Sequence, residues 1–144
     1  MVKHIVLYTF KEGVNKEEAI SVIRDSLYPL VGKIAGLQHL EVKLAFGGGM
    51  DYALYSEFEK PEDVRAYRAH PLHQEAKNHF FHLLDSRVAA DYEVILTRTE
   101  DEELALQKRV EIANDAEADA FISIHQNYCE ERNVQGMEVW YGEG

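Results

Sequence analysis

The sequence predicts an α+β domain with helices packed on one face of an antiparallel sheet, followed by a shorter α/β extension of helix, strand and strand. Three observations carry this. Apolar residues recur at every second position in the segments around 2–10, 40–46 and 52–58, as strands require. They recur at three- and four-residue spacing over 16–34, as one face of a helix requires. The order strand, helix, strand, strand, helices, strand is complete near residue 97, and the chain then changes character.

Val2 to Phe10 alternates but is apolar on both faces, which predicts a strand covered on two sides. Asn15 and Glu18 have capping-box spacing, and Ile20, Ile23, Leu27, Leu30, Val31 and Ile34 continue a helix over 16–34. Leu40, Val42, Leu44 and Phe46, then Tyr52, Leu54 and Phe58, read as a hairpin across Gly47-Gly48-Gly49. That glycine run lies between two strands with no helix N-terminus behind it, so it reads as a turn and not as a phosphate loop. Pro61 opens a short helix and Pro71 another reaching about Leu84, with Arg87 to Leu96 as the closing strand. His79 and His82 fall on one face of the second of these helices, at a surface or subunit contact. Beyond it, Thr99 and Glu102 suggest a second capping box and a helix over 101–116. Phe121, Ile122 and Ile124 suggest a short strand ending at His125, and Met137 to Tyr141 another.

Charge separates the two parts. Residues 1–98 hold 12 Lys/Arg against 14 Asp/Glu, whereas 99–144 hold 3 against 12, giving about −2 and then −9 of the total −11. No basic stripe exists to displace counterions from phosphates, so neither nucleic acid nor membrane is expected as a partner. No run approaches the ~18 apolar residues of a membrane span, and the N-terminus lacks the pattern of a secretory signal. With Cys129 as the only cysteine, neither an intramolecular disulfide nor a cysteine-based zinc cage can form. The expectation is a cytoplasmic protein.

The opening Val2-Lys3-His4-Ile5-Val6-Leu7-Tyr8-Thr9-Phe10-Lys11, the central Asp51-Tyr52-Ala53-Leu54-Tyr55-Ser56-Glu57-Phe58, the segment Tyr67-Arg68-Ala69-His70-Pro71-Leu72-His73 and the closing Asp91-Tyr92-Glu93-Val94 resemble the stress-responsive α/β-barrel (Dabb) family over residues 1–97. The resemblance implies a ferredoxin-like fold whose four-stranded sheets pair across a two-fold axis into a homodimeric barrel. It also implies a small apolar or aromatic ligand in the interior. A plant member of the family closes polyketide rings, and its Tyr-x-x-His-Pro-x-His pattern matches Tyr67, His70, Pro71 and His73, with an N-terminal histidine at His4. By that resemblance His73 is the general base, Tyr67 polarises a carbonyl, His4 assists, and His70 and Tyr8 line the ligand. A neutral imidazole and a phenol are chemically suited to enolate formation. The residues by themselves leave other readings open: His70 as a cap, Pro71 as a helix opener and Tyr67 as a cavity wall, or a metal held by His4, His70 and His73.

Residues 92–142 resemble a different family, the zinc-dependent N-acetylmuramoyl-L-alanine amidases, through Val94-Ile95-Leu96-Thr97-Arg98, Asp101, Leu104, Leu106, Arg109, Ala113-Asn114, Ala118-Asp119, Phe121, Ser123-Ile124-His125, Asn127 and Gly136-Met137-Glu138-Val139. Only one of that family's zinc ligands, His125, has a counterpart; the first histidine, the glutamate ligand and the catalytic glutamate have none. One histidine cannot hold a catalytic zinc, which needs about three protein ligands. The expectation is therefore a chimera-like chain: a barrel domain over 1–97 that needs no cofactor, and a partial amidase-like segment over 98–144 with a vestigial ligand. Zinc belongs only to the alternative in which the second part is a peptidoglycan hydrolase. A third expectation is a structural stress protein acting by oligomerisation.

Overall fold

The computed structural model describes residues 1–124. Its elements are β1 (Val2–Phe10), α1 (Lys16–Leu27), β2 (Leu37–Leu44), β3 (Tyr52–Phe58), α2 (Pro61–Ala69), α3 (Pro71–Asn78), β4 (Leu84–Glu93) and α4 (Leu106–Asp115), with single 3-10 turns at Tyr28–Leu30 and Phe81–Leu83. The four strands form one antiparallel sheet in the order β2-β3-β1-β4.

Strand β1 is central and paired on both sides, with His4 opposite Ser56 of β3 and Asp91 of β4. Val2, His4, Val6, Tyr8 and Phe10 are buried, and Lys3, Ile5, Leu7 and Thr9 lie half-buried on the other face. The buried face of β1 is continued by Tyr52, Leu54, Ser56 and Phe58 of β3 and by Leu40 and Val42 of β2. The helices close this face. Helix α1 contributes Ala19, Ile20, Ile23 and Leu27, α2 Val64 and Tyr67, and α3 Ala76.

Asn15 caps α1 by accepting from the amides of Glu17 and Glu18. The helix ends at Leu27, short of the expected residue 34, because Pro29 and the positive φ of Gly32 (+79°) break the α-helical run. Ile34 is buried all the same. Arg24 Nε donates to the carbonyl of Val42 and the Tyr28 hydroxyl accepts from its amide, so α1 covers backbone groups that β2, an edge strand, leaves unpaired. The hairpin across Gly47–Gly49 is as expected, and Asp51 behind it accepts from the amide of Phe10 at 2.7 Å and from Lys16 at 2.5 Å.

The other edge strand differs from expectation. β4 begins at Leu84, three residues early, because α3 stops at Asn78. His79 is its C-cap and His82 sits in the following 3-10 turn, so the two do not share a helix face. Phe10 pairs with Leu84 and Thr9 with Ser86, leaving Asp85 as the extra residue of a β-bulge. The ladder runs on to Glu93, and the amide of Val94 donates to the carbonyl of Met1 at 2.8 Å.

Two compact units follow one another, Met1–Leu96 and a second that begins at Thr97. In the second, α4 starts at Leu106 from Ala105, which offers no side-chain cap, so Thr99 and Glu102 do not form the expected box. No residue of α4 is buried. Residues 121–124 are not in a strand, and His125 and the strand expected over 137–141 lie outside the described residues. No helix of the described chain is long and apolar enough to cross a membrane.

Two predictions follow from these contacts. Gly36 has φ +83°, and a Cβ there would lie 2.3 Å from Cγ of Asp63, whose carboxylate caps α2 at the Lys60 amide. Gly36→Ala should therefore cost about 2 kcal/mol in urea unfolding, from overpacking and left-handed strain together. Gly48→Ala, with the same φ but open space, should cost less; equal losses would remove the close-approach explanation. Deleting residues 99–144 should leave the first unit folded with little change in its melting midpoint, and a truncated chain lacking a cooperative transition would contradict this.

Candidate functional site

The expected site residues divide by position. His4 and Tyr8 come from the buried face of β1, Tyr67 from α2 and His73 from the first turns of α3, so all four lie between the sheet and its helices. A ligand in the barrel interior would instead meet the opposite face of the sheet, which carries Ile5, Leu7, Tyr55, Val88 and Tyr92. His70 is used differently. As N-cap of α3 its Nδ1 accepts from the amide of Leu72 at 3.2 Å, which commits that nitrogen to the helix. His4, His70 and His73 do not assemble into a metal set, and no group of three or more His, Cys, Asp or Glu among the described residues does.

An aromatic chain connects the rest. His4 meets Phe58 edge-on with ring centroids 6.3 Å apart, Phe58 packs on Tyr67 at 5.2 Å, and Tyr67 stacks on His73 at 4.1 Å. Beside it, Tyr52 stacks on Tyr8 at 4.8 Å and on Phe10 at 5.1 Å. Among the described residues, three polar atoms in this layer are buried without a hydrogen-bond partner: the hydroxyls of Tyr52 and Tyr67 and Nδ1 of His73. Leaving one such group unpaired costs about 1–3 kcal/mol.

Burial governs their ionisation. It pushes the Tyr52 and Tyr67 phenols well above the ordinary range, reinforced by Tyr8 nearby, so both remain donors at any physiological pH. Burial also takes His73 down to about 4, against the weaker pull of the Arg68 and Tyr67 carbonyls, which favour the charged ring without reaching bonding geometry at Nδ1. Tyr8 is raised by burial and partly relieved by Arg87, its partner across the β1–β4 ladder.

Two residues that sequence reasoning did not single out complete the site. Asp91 Oδ1 lies 2.5 Å from Nδ1 of His4, and Arg68 Nη2 donates to Asp91 Oδ2 at 2.5 Å. Burial lowers the His4 pKa, with Arg68 and Arg87 adding to the effect and Asp91 opposing it. Burial also works against the charge of Asp91, but its bonds to His4 and Arg68 outweigh that and hold the carboxyl below its usual range. At neutral pH the pair is thus a neutral imidazole donating to a carboxylate. The sequence signal for Asp91 was a carboxylate directly after the apolar run Val88-Ala89-Ala90, and for Arg68 its place beside Tyr67.

A cavity of about 240 Å³ lies beside Tyr8 and is lined also by Phe81, Leu84, Asp85, Ser86 and Arg87; of the four residues it meets Tyr8 alone. The larger groove, about 450 Å³, runs between α1 and α3 past Val22, Pro29, Leu72 and His79 and touches none of the four.

Comparison with known proteins agrees with the architecture. The family model described as Stress responsive A/B Barrel Domain matches residues 2–94. A second, N-acetylmuramoyl-L-alanine amidase, matches residues 75–144 and overlaps α3 and β4 of the first. A stress-response A/B barrel domain-containing protein of Arabidopsis thaliana is 32% identical over 101 residues, covering 63% of this chain and 87% of the relative. A dimeric protein of ferredoxin-like fold from Bacteroides fragilis superposes with a TM-score of 0.59 at 34% identity, over 65% of this chain and 95% of its own. A hydroxynitrile lyase from Passiflora edulis shares the fold at TM-score 0.54 and 22% identity, over 65% and 93%. The strand order, the helix-covered face and the family match over most of the first unit together establish that this chain belongs to the stress-responsive A/B barrel family, with the ferredoxin-like α+β fold of its relatives.

Proposed function

We propose that this protein binds a small apolar or aromatic molecule between the sheet and its helices and carries out histidine–tyrosine acid–base chemistry on a carbonyl of that molecule. The observation that carries the reading is the set of unpartnered buried polar atoms on Tyr52, Tyr67 and His73. Apolar walls exclude water, and a few fixed donors orient what enters. A phenol held neutral by burial is suited to donate to an enolate oxygen, and a neutral imidazole to take the proton from the adjacent carbon. The chemistry needs no metal or cofactor.

The protein acts as a homodimer in this reading. Val88 and Tyr92 on the open face of β4 are 63% and 47% exposed, and among the described residues no strand pairs with the outer edge of β4. Such a surface favours a second copy, and the similar Bacteroides fragilis structure is described as dimeric. The acidic charge balance leaves no role for nucleic acid or membrane, and we assign the protein to the cytoplasm. The amidase match supports a second reading, in which the segment from 98 onward derives from a peptidoglycan hydrolase. With His125 as its only transferable ligand it is inactive as a zinc enzyme in our view.

The neutral dye phenylnaphthylamine should bind one per chain, and Leu84→Trp, which enlarges a residue lining the cavity beside Tyr8, should abolish binding while the fold persists. Unchanged binding in that variant would move the ligand elsewhere. Tyr67→Phe should raise stability by about 1 kcal/mol, since it removes a buried unpaired hydroxyl. A loss of that size would mean the hydroxyl is bonded in solution.

A pH dependence follows from His73. Its folded-state pKa of about 4 lies below the ordinary 6.5, so the unfolded chain binds more protons between those values. Stability should fall as pH drops from about 6.5 towards about 4. His73→Phe should flatten the urea midpoint over that window, and an unchanged slope would place the titration on another group.

A further inference from the structure

The resemblance to the plant cyclase gives the proton-accepting role to His73, but the geometry points elsewhere. We propose that His4 is the proton acceptor of this site, with Asp91 and Arg68 as its positioning residues. The proposal rests on the acid–base reading of the pocket and names which imidazole performs it.

The β1–β4 register sets Asp91 directly opposite His4 on the helix-facing side of the sheet, where Asp91 itself is 37% exposed, and this is why a carboxylate oxygen can lie 2.5 Å from Nδ1. An ionised carboxylate only accepts, so Nδ1 carries the hydrogen and the lone pair is left on Nε2. No hydrogen bond among the described residues engages that nitrogen. Arg68 holds the second oxygen of Asp91 at 2.5 Å from the far side, which fixes the carboxylate in its plane and keeps it charged. The groups whose charge reaches His4 are Asp91, Arg68 and Arg87, His73 in turn feels the charge of His4, and Asp91 is the one in contact. An imidazolium formed on His4 therefore has a counter-charge already in place, the logic of a carboxylate-oriented imidazole base.

His73 has none of this. Its Nδ1 is buried with no partner, and no carboxylate among the described residues bonds it to choose a tautomer or balance a charge. It lies flat on Tyr67, 24° from parallel, where it packs against the ring whose hydroxyl does the polarising.

The step balances without an oxidant or co-reactant. A C–H bond next to the ligand's carbonyl breaks, and its proton bonds to Nε2 of His4. The electron pair passes to the carbonyl oxygen as an enolate, which accepts a hydrogen bond from the Tyr67 hydroxyl. Returning the proton to carbon restores both groups.

The test is exchange of the methyl protons of acetophenone for deuterium in heavy water, followed by proton NMR. The wild type should exchange faster than buffer, and His4→Gln should lower the rate by about a hundredfold or more while His73→Gln lowers it by less than about tenfold. Asp91→Asn should slow exchange and move the acid limb of the rate profile to lower pH, because the lost negative charge no longer favours the imidazolium. Arg68→Lys should recover part of what Arg68→Met loses. Proton–nitrogen correlation spectra of the unliganded protein should show neutral His4 protonated on Nδ1. An Nε2–H tautomer overturns the proposal even if Asp91→Asn fails to fold. So does abolition of exchange by His73→Gln with His4→Gln still active, or an acid limb unmoved in a folded Asp91→Asn. A wild type with no exchange above buffer also overturns the base assignment; if it still binds phenylnaphthylamine, the ligand-binding reading stands.

Discussion

Burial of one pleated face of β1 is the constraint on which the rest of the first unit depends. The strand is paired along both edges, so its register with β3 and β4 is set by two ladders at once. Because side chains alternate, that register places His4, Tyr8, Tyr52, Ser56 and Asp91 on the face the helices cover. A one-residue slip would turn every one of them toward the other face and bring Ile5, Leu7 and Tyr55 inward. The chemistry of the pocket is therefore a consequence of strand pairing, and the helices add Tyr67, His73 and Arg68 to a surface already defined.

The same enclosure gives the site its electrostatic character. Aromatic rings stacked at 4–5 Å exclude water from the hydroxyls they carry, and this holds phenols protonated and imidazoles neutral. Charge survives in the layer where it is paired, as Asp91 is by His4 on one side and Arg68 on the other. On the opposite face, Lys3, Glu57 and Tyr55 form a separate, partly buried bonded cluster. Each face of the sheet thus carries an ion pair, Arg68–Asp91 on the helix side and Lys3–Glu57 on the other.

Much of this was legible in the sequence. Two-residue alternation located β1 and β3 to the residue, and Asn15, Pro61 and Pro71 marked helix starts because capping and proline geometry act locally. Tyr67 and His73 could be paired through a motif on adjoining helices. What could not be read were facts of long-range pairing. Asp91 is 87 positions from His4, and only the β1–β4 ladder brings them together. His70 looked like a ligand contact by type, and its role as a cap depends on the backbone turn at Pro71. The early end of α1 was not legible because Leu30 and Ile34 keep their buried positions through a 3-10 turn and a loop, which a periodicity count cannot tell from a continuing helix.

The bulge at Asp85 sets which residues of β4 face the helices. Leu84 and Asp91 differ by an odd number of positions, yet both face the helices, one as a core residue and the other as a partner of His4. In an unbroken strand that is impossible. The single extra residue acts as a parity switch: upstream of it, even positions face inward, and downstream odd ones do. An insertion or deletion anywhere between Leu84 and Asp91 would force a choice between sealing the end of the core and keeping a carboxylate beside the buried imidazole. Beyond Asp91 no such conflict arises, so the chain after Glu93 is where foreign sequence could be joined without disturbing either.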